Sequence, residues 1–338
     1  MGKRRQMRKQ RERYWNLNKM NLVNDLINIE RKATREGFGE AMMELGRKNG
    51  RVVVLTADLG ESMKVDDFGA QYPARFVQVG VAEQNLMGVA AGLALSGKIP
   101  FAVSYAVFNP GRNWDQLRVS VCYTNANVKI IGGHAGITVG PDGATHQSLE
   151  DIATTRVLPN LMVVVPADAE QAKKATLAIA EHVGPVYLRL TRPKTANFTT
   201  ATTSFQLGKA QVLKEGKEVT IFACGPLVYE ALLAAEELKD EIDVEVVNVH
   251  TIKPIDEDAI VRSAKKTGKV VTLEDHQING GLGGAIAEVL GEKCPTKMIR
   301  MGMKDIFGES GEPGELLAKY GLDKDGVIKR VKEITKNG

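Results

Sequence analysis

The feature that most limits the possible folds is a series of short apolar segments separated by segments with helical periodicity. The nearly all-apolar run from Arg51 to Ala57 is followed by comparable runs at 76–79, 99–105, 128–132, 161–165 and 186–190. Strands that are apolar on both faces are typical of a parallel sheet covered by helices. The alternation of strands and helices, such as the helix expected from Ala169 to Glu181, predicts a doubly wound α/β domain.

A second alternation of the same kind occupies the C-terminal part of the chain. Strands are predicted at 219–223, 244–248 and 270–273, with helices at 228–238, 256–266 and 282–290. Between the two patterns, the segment from Pro193 to Thr203 is rich in Thr, Ala and Pro and lacks periodicity, which is typical of a linker. We therefore expect two doubly wound α/β domains in tandem, divided as arm 1–27, first domain 28–195, linker 196–206 and second domain 207–338.

The N-terminal region shows a basic segment and then a helical pattern. Residues 1–13 contain seven Lys or Arg and one Glu, whereas the whole chain has a net charge of only +4. The folded body is therefore near neutral, which argues against a nucleic-acid-binding surface. We expect the arm to be a solvated tail, with contact to a partner chain or RNA as the alternative. From Leu22 to Asn49 the apolar spacing predicts a helix.

The cysteine spacing and the hydropathy indicate the compartment in which the protein is expected. The three cysteines are far apart, are odd in number and show no CxxC spacing, so neither a disulfide framework nor a zinc site is expected. No run approaches the roughly 18 apolar residues that a membrane span needs. We expect a soluble, cytoplasmic α/β protein.

Polar side chains follow the first four predicted strands at their carboxyl ends. The carboxyl ends of parallel strands meet at one edge of the sheet, where ligands bind in open α/β folds. The side chains expected to converge there are Asp58, Ser62, Glu83, Tyr105, Phe108, His134, Asp142 and His146. Glu83 opens the helix that follows the second strand, so it is either a catalytic carboxylate or an acid that complements the helix dipole.

A glycine-rich loop at 132–147 carries His134, Asp142 and His146. Imidazole and carboxylate groups can bind sugar hydroxyls, and histidine also contacts phosphate, although a plain surface loop remains the alternative. A metal site is less favoured, because the two histidines are twelve residues apart without a cysteine. The chain has no P-loop and no serine-nucleophile elbow. The glycine-rich segment 280–284 is either an anion site or a point of close packing.

The segments 79–85, 140–147 and 158–160 together resemble the pyrimidine-binding half of transketolase. The resemblance runs from about Ala33 to Gly338 and includes the transketolase C-terminal domain through segments 274–276 and 280–283. The group comprises transketolases, 1-deoxyxylulose-5-phosphate synthases and E1-β chains, all dependent on thiamine diphosphate. His134, twelve residues before His146, is similar to the transketolase pattern.

The resemblance implies a role for each site residue. Glu83 would hydrogen-bond the aminopyrimidine ring of thiamine diphosphate and act in catalysis together with His146. Phe108 and Tyr105 would stack on that ring, although the loop after Phe108 is about one residue longer than is usual in the family. Asp58 would lie near the cofactor at a dimer interface.

The substrate residues are implied in the same way. His134, His146 and Asp142 would contact sugar hydroxyls and phosphate. Arg35, Ser62 and Arg192 would form a phosphate clamp, for which a planar guanidinium is well suited. Arg189, on the preceding strand, is the alternative to Arg192.

One part of the family pattern is missing from this chain. A full transketolase binds the diphosphate through Mg²⁺ with a Gly-Asp-Gly motif followed by a downstream Asn, and no such pair occurs here. The chain therefore resembles the C-terminal subunit of a split transketolase, which would transfer a two-carbon ketol unit between sugar phosphates. A separate N-terminal subunit would hold Mg²⁺ in a homodimer of heterodimers. The alternatives are an enzyme for another sugar, a pyruvate-using synthase subunit and a non-enzymatic scaffold.

Overall fold

The computed structural model describes residues 21–336, so the basic segment at 1–13 lies outside the described residues. Fourteen strands and eleven α-helices are found in the described part of the chain. The strands are β1 (Arg31–Lys32), β2 (Val52–Thr56), β3 (Phe76–Gln78), β4 (Ile99–Tyr105), β5 (Lys129–Gly133), β6 (Met162–Val164), β7 (Val186–Arg189), β8 (Thr195–Ala196), β9 (Gln211–Lys214), β10 (Val219–Ala223), β11 (Val244–Asn248), β12 (Thr251–Lys253), β13 (Lys269–Gln277) and β14 (Lys297–Met303). The helices are α1 (Thr34–Lys48), α2 (Asp66–Gln71), α3 (Glu83–Leu95), α4 (Trp114–Gln116), α5 (Asp151–Arg156), α6 (Ala169–Glu181), α7 (Leu227–Glu237), α8 (Glu257–Thr267), α9 (Leu282–Lys293), α10 (Pro313–Tyr320) and α11 (Lys324–Lys336). Helix α4 continues as a π-helix over Leu117–Tyr123.

The first sheet confirms the predicted doubly wound arrangement. Its strand order is β12-β6-β7-β5-β4-β2-β3, and the six strands predicted from the sequence are all parallel. Side chains alternate between the two faces of a strand. Val52 and Val54 therefore pack with α1 and α6 on one face, while Val53 and Leu55 pack with α3 on the other.

The seventh strand of this sheet comes from the second domain. β12 pairs antiparallel with the edge strand β6, with Thr251 opposite Val164. The edge of the first sheet is thereby covered by the C-terminal domain, which fixes one domain against the other. The sequence pattern did not reveal this short strand because it forms only by pairing with β6 of the other domain.

The second sheet has the order β14-β13-β10-β11-β9, in which only β9 is antiparallel to its neighbour. The three predicted strands form its centre. The edge strands β9 and β14 and the helices α10 and α11 were not predicted. Local residues fix both ends of helix α8. The Asp256 side chain accepts the Ala259 N–H at its start, and Gly268 ends it in the left-handed conformation.

The prediction of one helix from Leu22 to Asn49 is wrong for residues 22–33. Helix α1 begins only at Thr34, whereas Leu22 forms an isolated bridge with Thr199. The Asp25 carboxylate accepts the N–H groups of Ile27 and Asn28, which holds a turn in place of a helix.

The segment that joins the domains is packed rather than loose. Phe198 is fully buried, and the Thr199 N–H donates to the buried Asp168 carboxylate at 2.6 Å. Just before it, β8 pairs with β1. Separately, none of the helices in residues 21–336 has the length and apolar character needed to cross a membrane.

Candidate active site

Glu83 is the first residue of α3, at the carboxyl end of β3. Its side chain is only 1% exposed. One carboxylate oxygen accepts the Ser104 hydroxyl at 3.0 Å, and the other accepts Arg112 Nη1 at 2.6 Å. A buried carboxylate needs such partners because an uncompensated charge is costly in the protein interior. The site therefore holds an oriented anion at the mouth of the sheet.

The loop after β4 places Arg112 between this carboxylate and an aromatic ring. The guanidinium of Arg112 lies over the ring of Phe108, 4.6 Å from its centroid. Two buried amides anchor the loop: Asn109 Nδ2 donates to the carbonyls of Ala102 and Ile131, and Asn113 Nδ2 donates to the Glu83 carbonyl. These anchors hold the loop on both sides of Arg112, which contacts both Glu83 and Phe108.

Four rings form one cluster at this edge of the sheet. The ring of Tyr105 stacks on that of His134, with centroids 3.9 Å apart. The ring of His146 meets Phe108 edge-on at 5.5 Å and Tyr105 at 6.2 Å. The structure thus brings together Tyr105 at the end of β4, Phe108 just after it and both histidines of the glycine-rich loop, as the shared sheet edge led us to expect.

His134 is held as a neutral imidazole. It is 2% exposed and has a backbone φ of +55°, which turns the chain at the end of β5. Burial, reinforced by the positive charges of Arg35 and Arg192, lowers the pKa of His134 to about 3. Its Nδ1 has no hydrogen-bond partner within the described part of the protein. A neutral imidazole can both donate and accept a hydrogen bond, and the Nδ1 that lacks a partner is itself buried.

Arg35 and Arg192 form a cationic region beside His134. Arg35 Nη1 donates to the Ser62 carbonyl at 2.6 Å, so Ser62 meets the arginine through its backbone. Arg192 Nη1 donates to the Val139 carbonyl at 2.9 Å. Burial lowers the pKa of Arg35, and the like charge of nearby Arg192 lowers it further through electrostatic repulsion. An anion placed between them would relieve that repulsion.

Asp142 lies at the outer rim of this region. Its carboxylate oxygen is 3.7 Å from Arg192 Nη1, and both side chains are more than a third exposed. A pair this exposed contributes little to stability. Both groups are therefore available to a ligand.

Arg189, the alternative to Arg192 for binding phosphate, is instead paired with buried groups of the protein. It is 2% exposed and donates from Nε to the Asp151 carboxylate at 2.8 Å. Its Nη2 donates to the backbone carbonyl of Asp275 in the second domain. The Asp151 carboxylate keeps the pKa of Arg189 above its usual value despite burial. Arg189 therefore joins the domains, and Arg192 is the arginine that faces the site.

Asp58 is the one predicted residue that the structure does not join to this cluster. It follows β2 with an exposed side chain and a φ of +62°. Its backbone N–H donates to Gln78 Oε1 at 2.8 Å. The residues described here give its carboxylate no hydrogen-bond partner.

The glycine-rich segment 280–284 is a packing point. The Glu274 side chain accepts the N–H groups of Leu282 and Gly283 at 2.6 and 2.8 Å, so the start of α9 already binds an internal carboxyl group. Burial raises the pKa of Glu274 to about 7. A Cβ atom on Gly281 would lie 1.9 Å from Glu274 Oε2, which explains the glycine there. In residues 21–336, no group of three or more His, Cys, Asp or Glu is placed to hold a metal ion.

Sequence reasoning missed three residues that shape the site. Ser104 and Arg112 hold the Glu83 carboxylate, and Asp275 holds the glycine-rich loop from the second domain. Arg112 lies in the loop after Phe108, for which the sequence indicated an unusual length but no contact. A lone arginine 29 positions from Glu83 carries no signal of a pairing.

Comparisons with known proteins agree with this architecture. The family "Transketolase, pyrimidine binding domain" matches residues 30–197, and "Transketolase, C-terminal domain" matches residues 208–327. The chain is similar to a putative transketolase C-terminal section of Methanocaldococcus jannaschii, with 48% identity over 89% of this chain and 96% of that protein. It is also similar to a 6-deoxy-6-sulfo-D-fructose transketolase subunit of Clostridium sp. strain MSTE9, with 45% identity over 91% and 96%.

A solved structure is similar over nearly the same length. It is described as a split gene transketolase in the form of an inactive beta4 tetramer. The TM-score is 0.84 at 48% identity, and the match covers 90% of this chain and 98% of that one.

Proposed function

This chain belongs to the transketolase family, and on that premise we propose that it is the C-terminal subunit of a split transketolase. The enzyme would transfer a two-carbon ketol unit between ketose and aldose phosphates. The observation that carries the proposal is a buried, oriented Glu83 carboxylate that Arg112 connects to Phe108, in a region that also contains two histidines and two arginines.

The residues fit the pyrimidine half of thiamine diphosphate. The Glu83 carboxylate accepts a planar N–H donor from Arg112, and the face of Phe108 accepts the same planar cation. Glu83 would therefore hold the ring nitrogen of the cofactor, while Phe108 and Tyr105 would contact its ring. The bound cofactor supplies an electron sink for breaking and forming the carbon–carbon bond. The buried position of Glu83 strengthens its hydrogen bond to the ring because the local dielectric is low.

The histidines and arginines would bind and orient the sugar. Neutral His134 would accept a hydrogen bond from a hydroxyl, and Asp142 at the rim would bind another. His146, which meets both Tyr105 and Phe108, is the group we assign to proton transfer at the substrate. Arg35, beside Ser62, and Arg192 would bind the terminal anion of the sugar.

The terminal anion need not be a phosphate. The Clostridium relative is a subunit for a sulfonated sugar, 6-deoxy-6-sulfo-D-fructose. Two guanidinium groups can bind a sulfonate as well as a phosphate, since both present several oxygens around one centre. A transketolase for a sulfonated sugar is therefore the second candidate function.

A partner subunit would complete the enzyme. Within residues 21–336, no acidic or imidazole cluster is arranged to hold Mg²⁺ for the diphosphate. The similar structure is described as an inactive tetramer of β chains, which supports dependence on a second kind of chain. We propose that an N-terminal transketolase subunit binds Mg²⁺ and the diphosphate in a homodimer of heterodimers. A chain with Gly-Asp-Gly and a downstream Asn, encoded in an adjacent reading frame, is the candidate.

Reconstitution tests the proposal. The purified chain is mixed with its candidate partner, thiamine diphosphate and Mg²⁺, and ketol transfer from xylulose 5-phosphate to ribose 5-phosphate is measured. A parallel assay uses 6-deoxy-6-sulfo-D-fructose as the donor. We expect activity only in the complete mixture. Activity with the sulfonated donor alone would favour the second candidate, and no activity with either would refute both.

A further inference from the structure

Arg112 makes two contacts at once in the candidate active site. Its Nη1 donates to Glu83 Oε2 at 2.6 Å, and its guanidinium carbon lies 4.6 Å from the centre of the Phe108 ring. The other Glu83 oxygen is held by Ser104. The guanidinium is therefore a flat cation that lies over an aromatic ring and donates an N–H group to a buried carboxylate.

These are the two contacts that the proposed function assigns to the cofactor's aminopyrimidine ring, which is also flat and is also held by Glu83. We propose that Arg112 is an internal occupant of the pyrimidine site, which the cofactor must displace when it binds. The inference rests on the proposed function. Its chemical basis is that the Phe108 face that Arg112 covers accepts one planar group at a time.

The surroundings show which of the three side chains can move. Glu83 is 1% exposed and fixed by Ser104, whereas 45% of the Arg112 side chain is exposed. Buried Asn109 and Asn113 anchor the loop on either side of Gly111 and Arg112. Arg112 can therefore leave by rotating its side chain while the backbone and the position of Phe108 are kept.

Occupancy by Arg112 lowers the apparent affinity for the cofactor. A ligand that binds only the open form has its affinity reduced by the fraction of molecules that are open. If the open fraction is about a tenth or less, removing the guanidinium tightens pyrimidine binding about tenfold or more. A residue that merely neutralised Glu83 would not produce such a gain.

Calorimetric titration of the full-length chain with 4-amino-5-hydroxymethyl-2-methylpyrimidine tests the inference without an activity assay. This probe lacks both the thiazolium charge and the diphosphate. We expect Arg112→Ala to bind it at least about tenfold more tightly than the unaltered chain. Arg118→Ala removes the same charge from an exposed position six residues later and should match the unaltered chain. Equal, weaker or undetectable binding by a folded Arg112→Ala chain would overturn the inference.

A double variant separates this inference from the proposed function. Glu83→Ala is added to Arg112→Ala, and the titration is repeated. If pyrimidine binding is unaffected by the loss of Glu83, the assigned cofactor site is wrong. If binding requires Glu83 but is not tightened by Arg112→Ala, the site stands and only the occupancy of Arg112 is refuted.

A measurement on the unaltered chain remains available if Arg112→Ala does not fold. The side-chain Nε signal of Arg112 is identified in a ¹⁵N NMR spectrum by its loss in the Arg112→Lys variant. Saturation with the pyrimidine should move this signal to the position of a solvated arginine. An unchanged signal while the pyrimidine binds would contradict displacement.

Discussion

The Asp275 carboxylate accepts a hydrogen bond from the backbone N–H of Ile137, 2.8 Å away, across the boundary between the two domains. Its second oxygen accepts the Thr138 hydroxyl at 3.0 Å. Gly136, with a φ of +84°, lies so close that a Cβ atom would be 2.0 Å from the carboxylate. The second domain therefore shapes the loop that carries the candidate substrate residues.

Replacing Asp275 should disturb the site from a distance. Asp275→Ala leaves the buried Ile137 N–H without its acceptor, which should cost about 1–3 kcal/mol in the free energy of unfolding. We also expect a higher KM for the sugar donor, because the loop bearing His134 and His146 loses its anchor. Urea denaturation and steady-state kinetics of the reconstituted enzyme check both effects. Asp258→Ala, which removes an exposed carboxylate from the same domain, is the control. Equal KM values for the two variants would refute the role of Asp275.

The arginine region can be tested through the anion of the substrate. Arg35→Lys and Arg192→Lys keep the charge but lose the planar fork of donors. Each should raise the KM for an anionic sugar donor, by about tenfold if about 1.4 kcal/mol of binding is lost, with a smaller change in kcat. An uncharged ketose of the same length should be used equally well by variant and unaltered enzyme. An equal loss with both donors would show that the arginines do not bind the anion.

Two glycines of the second domain should respond oppositely to alanine. At Gly281, the added Cβ would lie 1.9 Å from Glu274 Oε2, so Gly281→Ala should destabilise the chain by about 1–3 kcal/mol. Gly281 is the N-cap of helix α9, whereas Gly291 lies inside that helix, and there the added atom meets open space. Gly291→Ala should stabilise the chain by up to about 1 kcal/mol because alanine favours a helix. Thermal unfolding compares the two, and similar shifts would contradict the packing role of Gly281.

His250 should make stability depend on pH. Its ring lies against Phe205, with centroids 4.4 Å apart, and burial lowers its pKa to about 4. Between that pKa and the value of about 6.5 in the unfolded chain, only the unfolded state binds the proton. The stability contributed by neutral His250 is therefore lost as the pH falls through this window.

His250→Phe keeps an aromatic ring and removes the titration. The difference in unfolding free energy between about pH 6 and about pH 5 should then shrink by up to about 1.4 kcal/mol. Urea denaturation at the two pH values measures it. The same pH dependence in both proteins would show that His250 titrates normally in the folded state.

The parts of the fold that could be predicted are those with strong local patterns. All-apolar strands such as β2, and helices with clear periodicity such as α6, were predicted to within a residue or two. β12 could not be predicted because its three residues become a strand only through pairing with β6 of the other domain. The predicted helix began too early for a local reason. Asp25 holds a turn where the apolar spacing alone indicated a helix.

The candidate site also has features that the sequence could predict and features that it could not. The shared edge of a parallel sheet was enough to place Tyr105, Phe108, His134 and His146 together. It could not show that Arg189 is buried against Asp151 while Arg192 faces the site, because both lie near the end of β7. Nor could it pair Arg112 with Glu83, since that contact depends on how one loop folds back.

The most direct test of the central claim is the turnover of the reconstituted enzyme with Glu83→Gln. The change keeps the size of the side chain and removes the carboxylate that would hold the pyrimidine ring. We predict that ketol transfer falls by at least about a hundredfold, as is usual when one preorganised hydrogen-bonding group of an active site is lost, while size-exclusion chromatography shows unchanged assembly with the partner. Near-normal turnover in an intact Glu83→Gln complex would contradict the role of Glu83.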